Sequence, residues 1–306
     1  MRNLSIGNGK IVAPEIGLGC MRITGVEKKE AKNLIETAMD LGINFFDHAD
    51  IYAAGEAESY FADAIEMNST IREKMILQSK CGIKPGLGYD FSKEYILQAA
   101  EGSLKRLKTD YLDILLLHRP DMLMEPEEVA EAFQILKNSG KVKCFGVSNQ
   151  NPNQIELLNK YCGGEVVINQ LQLSITECGM MDAGINVNMN NDAGINRDGS
   201  ILDYCRLKDI RIQAWSPFQY GFFKGVFLGS DRYPELNKKT DELAEKYHVT
   251  NSAITIAWIL RHPAGIQPIV GTTNVQRLKD ISKASDIRLT REEWYEIYRA
   301  SGKKLP

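Results

Sequence analysis

The chain has 306 residues, 43% of them hydrophobic and 25% charged, with a formal net charge of −3. That length can bury a large core as one barrel or as two ordinary domains, and the composition is globular. The slightly acidic balance argues against a nucleic-acid surface, and no apolar run approaches a membrane span. The amino terminus carries Arg2 and Lys10 but no signal-peptide core, so a cytoplasmic protein is expected. The six cysteines form no C-x-x-C pair, which reads as reduced structural thiols and no metal site.

Leu4-Ser5-Ile6, a Gly7-Asn8-Gly9 turn and Ile11-Val12 predict a hairpin that could close the bottom of a barrel. Residues 15–21 form the first core strand, and Ala31, Leu34, Ile35, Ala38 and Met39 repeat at helical spacing. A strand at 44–47, a helix over roughly 57–67 and a strand at 75–80 follow. The next helix starts near Ser92 and buries Ile96, Ala100, Leu104 and Leu107. A strand at 110–117 precedes a helix with Val129, Ala132, Phe133 and Leu136 inward. Then come a strand at 143–149, a helix at 151–161 with Pro152 in its first turn, and a strand at 166–170.

Segment 174–199 breaks this rhythm. It is rich in Gly, Asn, Asp and Met, repeats Asp-Ala-Gly-Ile-Asn at 182–186 and 192–196, and has few large apolar anchors. A loop of this length reads as functional or mobile, and a lid that closes on ligand is expected here. A helix at 200–208, a strand at 210–215, an aromatic loop at 216–234 and helices near 236–248 and 251–261 come next. A strand at 266–271, with Pro268 near its start, and helices from Val275 and Thr290 end the chain.

Eight short strands, apolar on both faces and separated by helices, predict a closed (β/α)₈ TIM barrel over residues 1–306 as a single domain. The N-terminal hairpin, long βα loops and an extra C-terminal helix are additions to it. In such a barrel the carboxyl ends of the strands carry the site. Asp47, Tyr52, Lys80, His118, Asn149, Gln170 and Trp215 all fall there. Taken singly, each has a plainer role: Asp47 a turn residue, Tyr52 packing, Lys80 a chain reaching solvent, His118 a core histidine. His48 points to the other side of its strand, and Asp50 reads as a turn or helix cap.

Together the first four make a defined chemistry. An ammonium beside a phenol stabilises phenolate and lowers the tyrosine pKa, while a carboxylate keeps the ammonium charged and in place. A neutral histidine can donate to a carbonyl oxygen. The set can protonate a developing alkoxide. The hydride that completes carbonyl reduction must come from a nicotinamide cofactor, because no side chain supplies one.

Gly17-Leu18-Gly19-Cys20-Met21-Arg22, Asp47-His48-Ala49-Asp50-Ile51-Tyr52, Lys80 and Leu116-Leu117-His118-Arg119-Pro120 occur in that order. Gly146-Val147-Ser148-Asn149, Asn169-Gln170, Trp215-Ser216-Pro217 and Gly271-Thr272-Thr273-Asn274 with Arg277 follow them. Across nearly its whole length the chain resembles the aldo-keto reductase superfamily, and in particular bacterial YdhF-type oxidoreductases. The resemblance implies a catalytic tetrad of Asp47, Tyr52, Lys80 and His118, with Tyr52 as general acid. It implies that Ser148, Asn149 and Gln170 hold the nicotinamide carboxamide and that Trp215 stacks on its ring. Ser216 and Pro217 would line the pyrophosphate, Met21 and Arg22 would lie by the ribose, and Asp47 would face the cofactor too.

Gly271 stands where many members place a lysine against the 2′-phosphate, leaving Thr272 and Arg277 as its partners. NADP(H) is the expected cofactor, with NAD(H) not excluded, and a small carbonyl compound the expected partner. Gly17-Leu18-Gly19 is not a dinucleotide fingerprint, because it lacks the third glycine and the strand–helix setting. Two other classes remain open: a cofactor-binding regulatory protein of the same fold, and a lyase using Lys80 as a Schiff-base amine. Specificity is expected from loops 84–91, 119–124, 174–199 and 216–234, with Tyr89, Phe91, Met122, Met180, Met181, Phe218, Tyr220, Phe222 and Phe223 as pocket candidates.

Overall fold

The computed structural model describes residues 1–306. Strands β1 (Asn3–Ile6) and β2 (Ile11–Pro14) pair antiparallel, with Ile6 opposite Ile11. Gly7, Asn8 and Gly9 all take positive φ (61°, 54° and 90°), a turn that two glycines and an asparagine enter at low steric cost.

The chain then alternates. β3 (Gly17–Gly19), α1 (Lys28–Asp40), β4 (Phe45–Asp47), α2 (Glu56–Ala64), a short α3 (Ser69–Arg72) and β5 (Ile76–Cys81) come first. A ribbon of β6 (Ile83–Lys84) and β7 (Gly88–Tyr89) leads into α4 (Lys93–Leu107), β8 (Leu112–Leu117) and α5 (Pro126–Asn138). β9 (Val142–Ser148), α6 (Pro152–Cys162), β10 (Val166–Gln172), α7 (Gly179–Ile185), α8 (Ile201–Leu207) and β11 (Arg211–Trp215) follow. A second ribbon, β12 (Gln219–Tyr220) with β13 (Gly225–Val226), precedes α9 (Pro234–Tyr247), α10 (Asn251–Leu260), β14 (Gln267–Val270), α11 (Val275–Ser282) and α12 (Arg291–Ala300).

Eight strands, β3, β4, β5, β8, β9, β10, β11 and β14, close a parallel barrel in chain order. It shuts where Ile269 and Val270 pair with Gly17 and Leu18. The eight-strand expectation holds, and Pro268 is the second residue of its strand. Two details differ. The helix expected at 57–67 ends at Ala64, and α3 follows separately. The stretches read as loops at 84–91 and 216–234 each contain a two-residue ribbon.

The lumen is filled from below by Phe45, Ile76, Ile114, Leu116, Cys144, Ile168 and Ile269, and the hairpin inserts Ile6, Ile11 and Ala13 against them. Burying side chains of this size contributes ~1.5–3 kcal/mol each. The hairpin therefore plugs the floor, as expected. Above this apolar plug lies a polar layer that no local pattern in the sequence announces. Gln78, Gln170, Gln213 and Gln267 project inward from β5, β10, β11 and β14, all buried. Gln267 donates to the Pro14 carbonyl at 2.7 Å, and Gln213 donates to the side-chain oxygens of Gln267 and Gln78 at 2.9 and 3.1 Å. Gln78 and Gln170 both donate to Gln213 Oε1, at 2.9 and 3.0 Å. A buried amide is costly unless paired, and here every donor group is used.

Caps set where the helices begin. Asn151 and Gln154 form a capping box around Pro152 at the start of α6, and Thr290 with Glu293 does the same for α12. α12 is the extra C-terminal helix. Trp258 on α10 and Trp294 on α12 stack at 4.8 Å, and each indole N–H donates to the other's carbonyl, at 3.1 and 3.0 Å.

Candidate active site

β4 ends at Asp47, β5 carries Lys80, and His118 follows β8, so parallel register brings their side chains to one rim. Tyr52 reaches the same rim from a 3-10 turn that begins on it. Ala53 and Ala54 in that turn are left-handed (φ 50° and 55°), a conformation that costs an alanine ~1–2 kcal/mol. The left-handed pair turns the chain in a tight reversal that points the tyrosine back over β5.

Lys80 is fully buried. Its ammonium donates to Asp47 Oδ2 at 2.8 Å, to the His48 carbonyl at 2.8 Å and to the Tyr52 hydroxyl at 3.0 Å. All three donors are thereby used. Asp47 Oδ1 accepts from Gln78 at 2.6 Å and from Gln170 at 3.1 Å, which ties the carboxylate into the glutamine layer. Burial works to lower the Lys80 pKa, but Asp47 and Tyr52 outweigh it and hold the pKa above its ordinary value. The lysine stays charged. Burial also pushes the Tyr52 phenol above its ordinary range, and Lys80 only partly reverses this. The ammonium's lowering pull is there as expected, but burial outweighs it. Desolvation of the phenolate exceeds the ammonium's pull, and Asp47 adds to it.

His118 lies edge-on to Tyr52, with ring centroids 6.1 Å apart. Burial, then Lys80, then Arg119 hold its pKa well below the usual imidazole range, so the ring is neutral. His48 points away from the rim and packs its ring against Phe61 at 4.6 Å. Asp50 lies in a turn, one of its two expected roles, and is not a cap: Ile51 and Gly55 occupy the cap positions and no side chain caps either helix. Burial and the nearby Glu58 push the Asp50 carboxyl up to about 7.

A cleft of about 970 Å³ opens above this rim. Asp47, Tyr52, His118, Ser148, Asn149, Gln170, Trp215, Ser216, Pro217, Met21, Arg22, Gly271, Thr272 and Arg277 all line it, so every expected cofactor residue is brought to one space. Lys80 lies just beneath. Ser148 donates to the Gln170 carbonyl at 2.8 Å, and Trp215 donates its indole N–H to Asn149 Oδ1 at 3.1 Å, which links β9, β10 and β11 at the rim.

At the far end Arg22 donates to the Gly271 carbonyl at 2.9 Å, and Asn274 caps α11 by accepting from the Arg277 backbone. The Arg277 guanidinium pairs with no protein group. Asp280, the nearest acid along the helix, instead meets Gln276 at 3.1 Å and Lys283 at 4.0 Å. A free guanidinium at a helix amino terminus fits a phosphate. Asn251 and Ser252 at the start of α10 also line the cleft, and nothing in their local sequence marked them.

The loop expectations divide. Tyr89, Phe218, Phe222 and Phe223 line the cleft, whereas Phe91, Met122, Met180, Met181 and Tyr220 do not. Phe91 is buried beneath the first ribbon, and Met122 is 83% exposed. No residue of 174–199 reaches the cleft. Met180 and Met181 of α7 sit in the main core, and Asp182 accepts from Tyr298 at 2.8 Å. Contacts with the carboxyl-terminal part of the chain thus anchor the first half of the segment, residues 187–199 are mostly exposed, and none of the segment lines the cleft. Its start instead supports the second ribbon: Ser174 donates to the Gln219 carbonyl, and Glu177 accepts from the Gly221 backbone at 2.6 Å.

The sequence profile of the aldo/keto reductase family matches residues 15–301. The chain belongs to the aldo/keto reductase family. It is thereby an oxidoreductase. It is 37% identical to the uncharacterized oxidoreductase YcsN of Bacillus subtilis, over 89% of this chain and 88% of that protein. It is 33% identical to the oxidoreductase YdhF of Escherichia coli over the same shares, in line with the resemblance read from the motifs. A 6-dehydroglucose reductase of Novosphingobium aromaticivorans is 32% identical over 98% and 96%. Among solved folds, an aldo-keto reductase of Klebsiella pneumoniae crystallised with NADPH superposes with a TM-score of 0.77 at 24% identity, over 98% and 95%. No helix is long and apolar enough to cross a membrane.

Proposed function

We propose that this aldo/keto reductase reduces an aldehyde or ketone to the alcohol with NADP(H), using Tyr52 as the acid. NADPH, when bound, would supply the hydride that no side chain of the site can provide. Ser148, Asn149, Gln170 and Trp215 would hold its nicotinamide end, and Thr272 and Arg277 the phosphate of its other end. His118, neutral, donates to the substrate oxygen and fixes its direction. Tyr52 passes its hydroxyl proton to that oxygen as the carbon–oxygen double bond becomes single. Lys80 stabilises the phenolate left behind, and Asp47 keeps Lys80 charged. The phenol is reprotonated from water in the cleft.

One observation carries this reading: the Lys80 ammonium spends its third hydrogen bond on a phenol that faces a large cleft. The same ammonium argues against a Schiff-base lyase, which needs a free amine. The test is NADPH oxidation against a panel of aromatic, aliphatic and sugar aldehydes, with Tyr52→Phe beside the parent. General acid catalysis contributes ~10²–10⁴-fold, so the variant should lose that much turnover while binding NADPH as before. Turnover within a few-fold of the parent would mean another group supplies the proton.

A further inference from the structure

Arg119 directly follows His118 and lines the cleft. Its guanidinium carbon lies over the rings of Trp215 and Phe222, at 5.6 and 5.9 Å from their centroids. Ring contacts of this kind hold the cation without using its in-plane N–H donors. Those donors form no hydrogen bond with the protein, and no carboxylate lies within ion-pair distance. Asp121, two residues on, is turned away: its oxygens accept from the backbones of Phe91 and Leu123 at 2.9 Å each. Asp47, the one carboxylate lining the cleft, is already held by Lys80, Gln78 and Gln170. Burial lowers the Arg119 pKa, as expected for a half-buried cation without a counter-charge.

The cleft therefore has two free guanidinium groups, in different places. Arg277 stands at the start of α11, beside Gly271 and Thr272. Arg119 stands beside the residue that orients the carbonyl, on the side walled by Tyr89, Trp215 and Phe222.

We propose that Arg119 is a substrate-anion subsite, and that the preferred substrate is an oxo-acid whose carboxylate pairs with it while the carbonyl lies at Tyr52 and His118. This rests on the carbonyl-reductase reading and names the substrate class within it. A planar fork of donors matches a carboxylate in two parallel hydrogen bonds. Trp215, Phe222 and Phe223 form an aromatic wall beside it, with Phe223 stacked on Trp215 at 6.1 Å. An aryl or short alkyl spacer between carbonyl and carboxylate suits that wall.

The test uses matched pairs. For turnover, 3- and 4-formylbenzoate are compared with their methyl esters. For binding, isophthalate and terephthalate are compared with their monomethyl esters, titrated into the NADP⁺ complex. In each binding pair both members keep one carboxylate for Tyr52 and His118, so only the second carboxylate differs. A charge-assisted hydrogen bond corresponds to ~10–100-fold in affinity. In at least one isomer the acid should show that advantage in KM and in binding, with kcat similar for acid and ester.

Arg119→Met, which keeps an apolar stem against the rings, should abolish the advantage and leave NADP⁺ binding unchanged, and Arg119→Lys should restore part of it. The proposal is overturned if neither isomer prefers the acid in the parent, or if the preference survives Arg119→Met. Should the binding preference appear while no aldehyde is reduced, the subsite stands and the reductase reading fails. Should acid and ester be reduced alike, with no binding preference, the reductase reading stands and the subsite fails.

Discussion

Asp47→Asn is nearly isosteric, yet the structure predicts that it is severe. The carboxylate lies 2.8 Å from the Lys80 ammonium. At an effective dielectric of about 20 that contact is an attraction of ~6 kcal/mol before desolvation is counted. An asparagine cannot replace it. Turning its oxygen to Lys80 sets its NH₂ against the donors of Gln78 and Gln170. Turning its oxygen to the glutamines sets the NH₂ against the ammonium. Either way a buried cation or two buried amides lose their acceptor, and removing one partner of a buried pair costs ~3–5 kcal/mol. Denaturant unfolding at neutral pH should show a loss in that range. The Lys80 pKa, no longer held up by Asp47, should fall, because burial is the largest effect acting on it. Turnover should drop with it, since an uncharged amine stabilises phenolate poorly. An Asn variant within about 1 kcal/mol of the parent, with turnover within tenfold, would refute this coupling.

Arg277→Ala should weaken NADPH by ~10–100-fold and NADH much less, by an amount that shrinks as salt rises; equal weakening of both would show that Arg277 holds something other than the 2′-phosphate. Burial lowers the His48 pKa to about 3, from 6.5 in the unfolded chain. The unfolded state then binds the extra proton as pH falls through 6.5, so this stability is complete above 6.5 and is lost on acidification at up to ~1.4 kcal/mol per pH unit. Unfolding of His48→Leu between pH 6.5 and 4.5 should show a shallower acid limb than the parent; an unchanged slope would mean that His48 is not the group. In hydrogen exchange with and without NADPH, 216–229 should gain protection and 174–199 should not, and the reverse pattern would support the lid reading.

The barrel was legible because its strands are apolar on both faces and appear as continuous runs such as Ile114 to Leu117, separated by helices with clear periodicity. The tetrad was legible for a related reason: a polar residue ending such a run must lie at a sheet end. The glutamine layer was not: Gln170 reads in the sequence only as a cofactor residue, and a single Gln within a strand looks like an interruption until seven other strands are in place around it. The ribbons at 83–89 and 219–226 are too short to show a period. The packing of 174–186 was not legible because its partners, Tyr298 and Lys303, lie more than a hundred residues away, and composition carries no information about contacts at that distance. The direction of the Tyr52 shift depends on how deeply the phenol is buried, which spacing along the chain does not state.

The glutamine layer separates chemistry from selection. Asp47 is braced from the barrel floor, through Gln78, Gln213 and Gln267 to the Pro14 carbonyl, and none of those supports comes from the loops above. The second ribbon and its aromatic residues can therefore be exchanged as an interchangeable cover while Asp47, Lys80 and Tyr52 stay on their own foundation. A library that varies the ribbon 219–226 alone should yield members with altered substrate range and intact turnover. Conversely, a lesion at Gln267 or Pro14, on the opposite end of the barrel from the cleft, should reach the Asp47 carboxylate as a change in its orientation.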